Sequence, residues 1–256
     1  MSDHPWDRGS YPELAQRLAP AARAIAATAG PGDGRRALDV AAGTGSVAAA
    51  LAAGGWDVVA TDGAPGMVER GRTATAQAGH EVAWHVADLG DQPVADGSQD
   101  LVASSFGLIF AADVHVALDE VGRVLRPDGR LVLTAWTDDG YMAQMTEAMM
   151  RFLPARGPGG PRPQRWGSRS FLDEVLTPRF VGVEIVERTL PWSFESATAG
   201  RRWLERVSPA HVMAQAAAGE DAVAMMDAVE EHLAGFADDN GRVQVEAEYL
   251  LVRARR

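Results

Sequence analysis

Along the chain, short apolar runs of strand length recur at 36–42, 56–61, 81–87, 100–105 and 130–136. Continuous runs of this kind suit strands buried on both faces. Helically spaced stretches lie between them: 46–53, closed by Gly54-Gly55, then 65–78 with Pro65 in the first turn, then 113–125. Another helix is predicted over 11–29, broken or kinked around Pro20. Strands and helices alternating at this spacing predict an α/β fold with a parallel, doubly wound sheet.

The pattern changes after Trp136. Residues 141–153 read as helix, 171–176 as a short helix, 181–190 as a strand and 198–237 as mostly helical. The final stretch, RVQVEAEYLLVR (242–253), alternates as a late antiparallel strand would. Between them PARGPGGPRPQRWG (154–167) reads as a loop, long enough in a compact chain to suggest a functional role as part of a lid. No internal repeat is visible.

Composition narrows the chemistry. The chain of 256 residues is 46% hydrophobic, enough for one sizeable core, and a single domain over 1–256 is expected. It has no cysteine, which removes disulfides, thiolate nucleophiles and cysteine metal sites together. All 24 basic residues are arginine. Without lysine there is no Schiff-base chemistry, P-loop lysine or Tyr-x-x-x-Lys dehydrogenase base. No metal site is expected: Asp238-Asp239-Asn240-Gly241 lacks the spacing and glutamate of a calcium loop. A net charge of −11 disfavours nucleic acid and leaves a small-molecule substrate as the expected partner of a monomer or homodimer. The start, MSDHPWDRGSY, does not read as a signal peptide, and the apolar run 101–112 is too short to span a bilayer. The expectation is a cytoplasmic protein with no membrane partner.

In doubly wound sheets ligands bind beyond the carboxyl ends of the strands. Here those loops hold Ala41 to Gly45, Asp62, Asp88-Leu89 and Ser104 to Phe106. Small residues in the first turn and acids ending the second and third strands suit one elongated ligand with a nucleoside. The turn itself, LDVAAGTGS, is ambiguous. Gly43 to Ala48 fits G-x-G-x-x-A, and Asp62 follows at the spacing of about 20 residues that a dinucleotide fingerprint uses. Three features point away from a dinucleotide: Asp39 within the first strand, a second acid at Asp88, and no recognisable hydride-transfer site downstream.

With these features the chain resembles a class I S-adenosylmethionine-dependent methyltransferase. LDVAAGTGS resembles that family's first motif, VVATDGAPGMVERGR its second, and WHVADLGDQPVADGSQDLVASSFGLIF its third and fourth. LDEVGRVLRPDGRLVLTAW resembles the helix and strand that follow, with PDG where PGG is commoner. The likeness covers 36–137, and SSFGL is similar to the branch that C-methylates quinone precursors and to actinobacterial small-molecule enzymes. It implies a Rossmann-like sheet of seven strands, with a core of about 30–137, 180–190 and 242–254. A helical lid would come from 1–25, 138–178 and 191–241.

The resemblance also implies roles. Asp39 would orient the turn or reach the methionine amine through water, and Ala41, Gly43 and Gly45 would line methionine and ribose. Asp62 would take the ribose hydroxyls, with Gly63 and Met67 beneath the adenine, Asp88 accepting from its amine and Leu89 covering the ring. Ser104 and Ser105 would sit near the sulfonium, and Tyr11 would close over the cofactor. Ala41 stands where the family usually has glycine, so its methyl group is expected to crowd the ligand.

The acceptor side shows no motif. Candidate bases are His211, Tyr141 and His115, the last in a position that is usually exposed. Phe106, Trp136, Tyr141, Trp192 and His211 are the candidate acceptor contacts. The expected function is methyl transfer from S-adenosylmethionine to a small hydrophobic or aromatic acceptor, in a biosynthetic setting. The alternatives are a fold that binds the cofactor without transferring methyl, as a regulatory subunit or cyclase, and an NAD-linked oxidoreductase.

Overall fold

The computed structural model describes residues 4–7, 11–154 and 162–256. Its strands are β1 (Arg36–Val40), β2 (Asp57–Asp62), β3 (Val82–Val86), β4 (Gln99–Ser105), β5 (Leu125–Trp136), β6 (Val181–Phe194) and β7 (Val243–Arg255). They form one sheet in the order β3-β2-β1-β4-β5-β7-β6. The first five run parallel, and β7 is antiparallel to both β5 and β6. The uninterrupted apolar runs are explained by this placement: β1 and β4 lie inside the sheet and are buried almost throughout. The long edge strand β6 buries only Leu190, Trp192 and Phe194, at its far end.

Nine helices flank the sheet among the described residues: α1 (Tyr11–Ala29), α2 (Ser46–Ala53), α3 (Pro65–Gln77), α4 (Val114–Val124), α5 (Tyr141–Met150), α6 (Arg169–Leu176), α7 (Ala197–Val207), α8 (Pro209–Ala218) and α9 (Ala222–Ala234). None is long and apolar enough to cross a membrane. One expectation needs correction. Pro20 does not break α1, which continues from Tyr11 to Ala29. Proline removes the bond to the carbonyl four residues back, here that of Gln16, an exposed residue whose carbonyl water can satisfy. The region after 198 is mostly helical as expected, divided into α7, α8 and α9; Pro209 cannot extend α7 and instead occupies the first turn of α8.

Arg17 of α1 ties the late strand to the core. Its guanidinium lies 4.5 Å from the ring centres of both Phe194 and Trp203. Both terminal nitrogens donate to the Ser193 carbonyl at 3.3 Å. The two rings, tilted 52° to each other with centres 5.9 Å apart, meet the cation at an angle, and such cation–aromatic contacts hold more firmly than an exposed ion pair.

Trp84 of β3 fills the gap between sheet and helices, and two glycines make room for it. A Cβ on Gly71 in α3 would fall 2.2 Å from the indole, and one on Gly45 would fall 2.8 Å from it. In an open helix Gly71→Ala would stabilise by about 1 kcal/mol. Here overpacking costs about 1–3 kcal/mol and opposes that gain. Gly71→Ala should therefore destabilise the fold by up to about 2 kcal/mol, read as a lower midpoint in urea unfolding.

Candidate functional site

Strand order reverses where β1 sits between β2 and β4, and the carboxyl ends of the parallel strands open there on a cavity of about 320 Å³. The glycine turn forms one wall. β1 stops at Val40 rather than Ala42 because Ala41 takes φ 51°, followed by Gly43 at 56° and Gly45 at 85°. The left-handed region costs a residue with a side chain about 1–2 kcal/mol, and Ala41 bears that cost. Its methyl group packs toward Gly107, where an added Cβ would lie 2.4 Å away. Gly43 has no such room: a Cβ there would lie 2.8 Å from the Tyr11 ring and 2.9 Å from its hydroxyl oxygen.

Two carboxyl groups fix this turn. Asp62, at the end of β2, accepts the N–H of Gly43 on one oxygen and that of Ala64 on the other, each at 2.9 Å. Burial raises its pKa, and those two bonds oppose the rise. Asp39 is fully buried in β1 and accepts the Ala48 N–H at 2.9 Å on Oδ2, while Oδ1 has no partner among the described residues. Burial pushes its pKa up to about 8. Asp39 lines a second cavity of about 20 Å³ with Thr44, Ser46 and Val47, about the space of one water. Tyr11, Ala41 and Ser105 line both cavities, so the Tyr11 phenol stands between them. Burial, then the neighbouring Asp62 and Asp39, raise the phenol's pKa and keep it neutral.

The far wall comes from the loop after β3. Asp88 accepts the Gly90 N–H at 2.9 Å, and Gln92 holds the loop by donating to the Asp88 carbonyl and accepting the Thr61 hydroxyl. Gly63, Met67, Asp88 and Leu89 all line the main cavity. Ser104 and Gly45 do not. The Ser104 hydroxyl donates to the Val40 carbonyl and accepts the Leu108 N–H, both at 2.9 Å, stapling β4 to β1 behind the cavity. Gly45 packs on Trp84.

The opposite end is aromatic. Phe106, at φ 55°, stacks on Trp136 with ring centres 4.0 Å apart and planes 13° from parallel. Trp192 meets Trp136 edge-on, and Phe110 meets Trp6 edge-on at 4.6 Å. His211 of α8 lines the same end, 5% exposed, with burial holding its pKa down to about 4.

Two candidate bases lie elsewhere. His115 is exposed in the first turn of α4, its Nδ1 3.5 Å from the Arg179 guanidinium, which pairs with Asp119. The chain turns there because Asp113 caps the helix, so the imidazole points away from the cavity lining. Tyr141 is buried behind Trp192, stacked on His232, and does not line the cavity. Of the loop read as part of a lid, residues 155–161 lie outside the described residues, and Trp166 and Gly167 pack against the end of β5 without lining the cavity.

Known proteins place this geometry. The methyltransferase domain family matches residues 38–133. An uncharacterized protein of Mycobacterium tuberculosis, Rv1405c, is 31% identical over 98% of this chain and 92% of its own. The demethylmenaquinone methyltransferase of Clavibacter sepedonicus is 47% identical over 43% of each chain. Among solved structures, the YcgJ protein of Bacillus subtilis superposes with a TM-score of 0.66 at 20% identity, covering 91% of this chain and 96% of that one. The chain belongs to the class I S-adenosylmethionine-dependent methyltransferase family.

In this methyltransferase several lining residues have no signal in the motifs. His4 and Trp6 reach the cavity because Asp7 docks the first turn onto α3, accepting the Gly66 N–H at 3.2 Å and pairing with Arg70 at 2.9 Å. Leu14 and Leu18 follow Tyr11 at helical spacing, the one periodic clue available. Leu204 and Ser208 arrive from α7 and the start of α8.

Asp39 makes stability depend on pH. Its carboxyl has a folded pKa of about 8 against an ordinary value of 3.8. Between those values the folded state holds the extra proton, so the contribution of Asp39 to stability is full below about pH 4 and is lost as pH rises toward about 8. The slope reaches about 1.4 kcal/mol per pH unit for one proton. Asp39→Asn keeps the acceptor for Ala48 and should abolish this slope, seen as a flatter urea midpoint against pH.

Proposed function

We propose that this chain transfers methyl from S-adenosylmethionine to a small aromatic or otherwise hydrophobic acceptor. One observation carries the reading: the same cavity joins a carboxylate-lined end at β1–β3 to an aromatic end at β4, β5 and α8. The residues fit the cofactor. Asp39 offers a buried oxygen without a partner beside a water-sized space, which suits an ammonium group. Asp62 has both oxygens anchored by backbone N–H groups, leaving further lone pairs for ribose hydroxyls. Met67 and Leu89 supply apolar surface for a purine, and Asp88 an acceptor at its edge.

When bound, S-adenosylmethionine supplies an electrophilic methyl group on a sulfonium. What the chain contributes is position and exclusion of water, worth about 7–11 kcal/mol in well-aligned intramolecular reactions. Tyr11 closes one side of the cavity, and the stacked Phe106–Trp136 pair presents a flat wall to an acceptor. Aromatic faces also favour a nearby cation by about 0.5–2 kcal/mol each. Among the described residues no arginine lines the cavity, which disfavours an acceptor with several negative charges.

Calorimetric titration with S-adenosylhomocysteine tests the cofactor. Binding should be clear for the wild type and weaker by about 1.5–3 kcal/mol in Asp62→Ala, the cost of a lost charge-assisted hydrogen bond. Binding of NADH in its place would contradict the assignment. For the acceptor, label from methyl-labelled cofactor should pass to phenols and naphthols in preference to highly polar amines. The reverse preference would contradict an aromatic acceptor.

A further inference from the structure

Serine is among the strongest helix N-caps, because its hydroxyl can accept a backbone N–H of the first turn. Ser208 stands at the N-cap of α8 and does not use its hydroxyl in this way. The hydroxyl is instead 2.9 Å from Nδ1 of His211, one turn on. Forgoing the cap leaves the first-turn N–H groups of α8 without that acceptor. A cap given up inside a cavity suggests that the hydroxyl has another use.

The other ring nitrogen fixes the tautomer. Nε2 of His211 is 3.3 Å from the Met145 sulfur. A thioether cannot donate and accepts only weakly, so a hydrogen bond there places the ring proton on Nε2. Nδ1 is then bare and accepts the Ser208 hydroxyl proton. Ser208 and His211 are each 5% exposed and both line the cavity, at the end formed by Trp136, Met142 and Trp192. Among the described residues the other titratable groups lining that cavity are His4, Tyr11, Asp62 and Asp88. None contributes to the depression of the His211 pKa, which comes from burial and keeps the ring neutral at pH 7.

The geometry points to a two-step proton relay for the acceptor, from Ser208 Oγ to His211 Nδ1. The inference rests on the methyl-transfer reading above. In the balanced step the acceptor's hydroxyl proton passes to Ser208 Oγ, and the serine's own proton passes to Nδ1. The acceptor oxygen forms its bond to the methyl carbon as the carbon–sulfur bond breaks, its electron pair remaining on sulfur. One positive charge is present before and after, first on sulfonium and then on imidazolium. No charge is created in the buried cavity, only moved across it. That is how an imidazole made weakly basic by burial would accept a proton during transfer. Ser208 would touch the acceptor, and His211 would act through it as a positioning and proton-accepting residue. The relay makes a hydroxyl-bearing aromatic the acceptor class, with oxygen as the methylated atom.

The test is long-range proton–nitrogen NMR on the ¹⁵N-histidine-labelled full chain saturated with S-adenosylhomocysteine, with His211 assigned from its loss in His211→Gln. The expected result is a proton on Nε2, a bare Nδ1 at pH 7, and a shift of the Nδ1 resonance in Ser208→Ala with cofactor affinity changed less than about twofold. A proton on Nδ1, or an imidazolium at pH 7, overturns the relay while leaving cofactor binding intact. In turnover with methyl-labelled cofactor and a pool of naphthols, Ser208→Ala and His211→Gln should each lower label transfer about 100-fold or more, the scale of general-base catalysis. Transfer within about threefold of wild type in either variant overturns the relay. No transfer by a wild type that binds S-adenosylhomocysteine overturns the methyl-transfer reading, and the relay with it.

Discussion

The two backbone bonds of Asp62 are the constraint on which the site depends. One carboxylate receives N–H groups from the turn after β1 and from the start of α3 after β2. It therefore locks together two loops that belong to different crossovers of the sheet. Without it, Gly43 and Ala64 would each leave a donor unsatisfied beside a cavity, at a cost of about 1–3 kcal/mol per group. The carboxylate also stays part-buried because those donors favour its charged form against desolvation. A single side chain thus holds the frame and keeps further lone pairs available at its edge.

Strain accumulates where the two central strands end. Ala41 after β1 and Phe106 after β4 both adopt positive φ, near 50°, and neither is glycine. Each costs about 1–3 kcal/mol, and both face the cavity. What the strain achieves is an abrupt turn at each strand end. At Ala41 the backbone swings clear so that Tyr11 can lie over Gly43. At Phe106 the turn brings the ring flat onto Trp136, with Tyr249 meeting its edge at 5.6 Å. The surrounding structure over-determines both residues. Thr134 accepts the Phe106 N–H, and Gly107 leaves room for the Ala41 methyl group.

This division explains what could be read from the sequence. The sheet was legible because its inner strands are continuous apolar runs, and the carboxylate end of the cavity because acids end β2 and β3 at fixed spacing from the glycines. Those features are local: a strand, a turn and a helix start decide them. Ser104 and Gly45 belong to the same motifs but face away from the main cavity, because β4 must be stapled to β1 and α2 must clear Trp84. The aromatic end was harder. Phe106, Trp136 and Trp192 could be placed from strand ends, yet Tyr141 beside them faces His232 instead. Trp6 and Ser208 carry no local mark at all, since their positions depend on Asp7 reaching α3 and on α8 folding over the sheet. Long-range packing decides such residues, and periodicity does not record it.

The two ends also differ in electrostatic character, which bears on how a charged cofactor is received. The three acids near the strand ends, Asp39, Asp62 and Asp88, lie on the side of the glycine turn, whereas the aromatic side holds neutral groups. Burial of Asp39 outweighs the one backbone bond it accepts and favours the uncharged carboxyl. A buried, ionised carboxylate with an unpartnered oxygen is costly. An ammonium beside Oδ1 would reverse the balance, releasing the proton and pairing the charge. The carboxyl would thus be charged only where a cation pairs with it. At the other end His211 is neutral for the same reason, desolvation without a counter-charge. Asp39 and His211 thus both favour their uncharged forms, and a positive ligand would lower both pKa values, which charges the carboxyl but keeps the imidazole neutral. That asymmetry gives a cavity of about 320 Å³ a defined polarity, with the cation drawn toward β1 and away from α8.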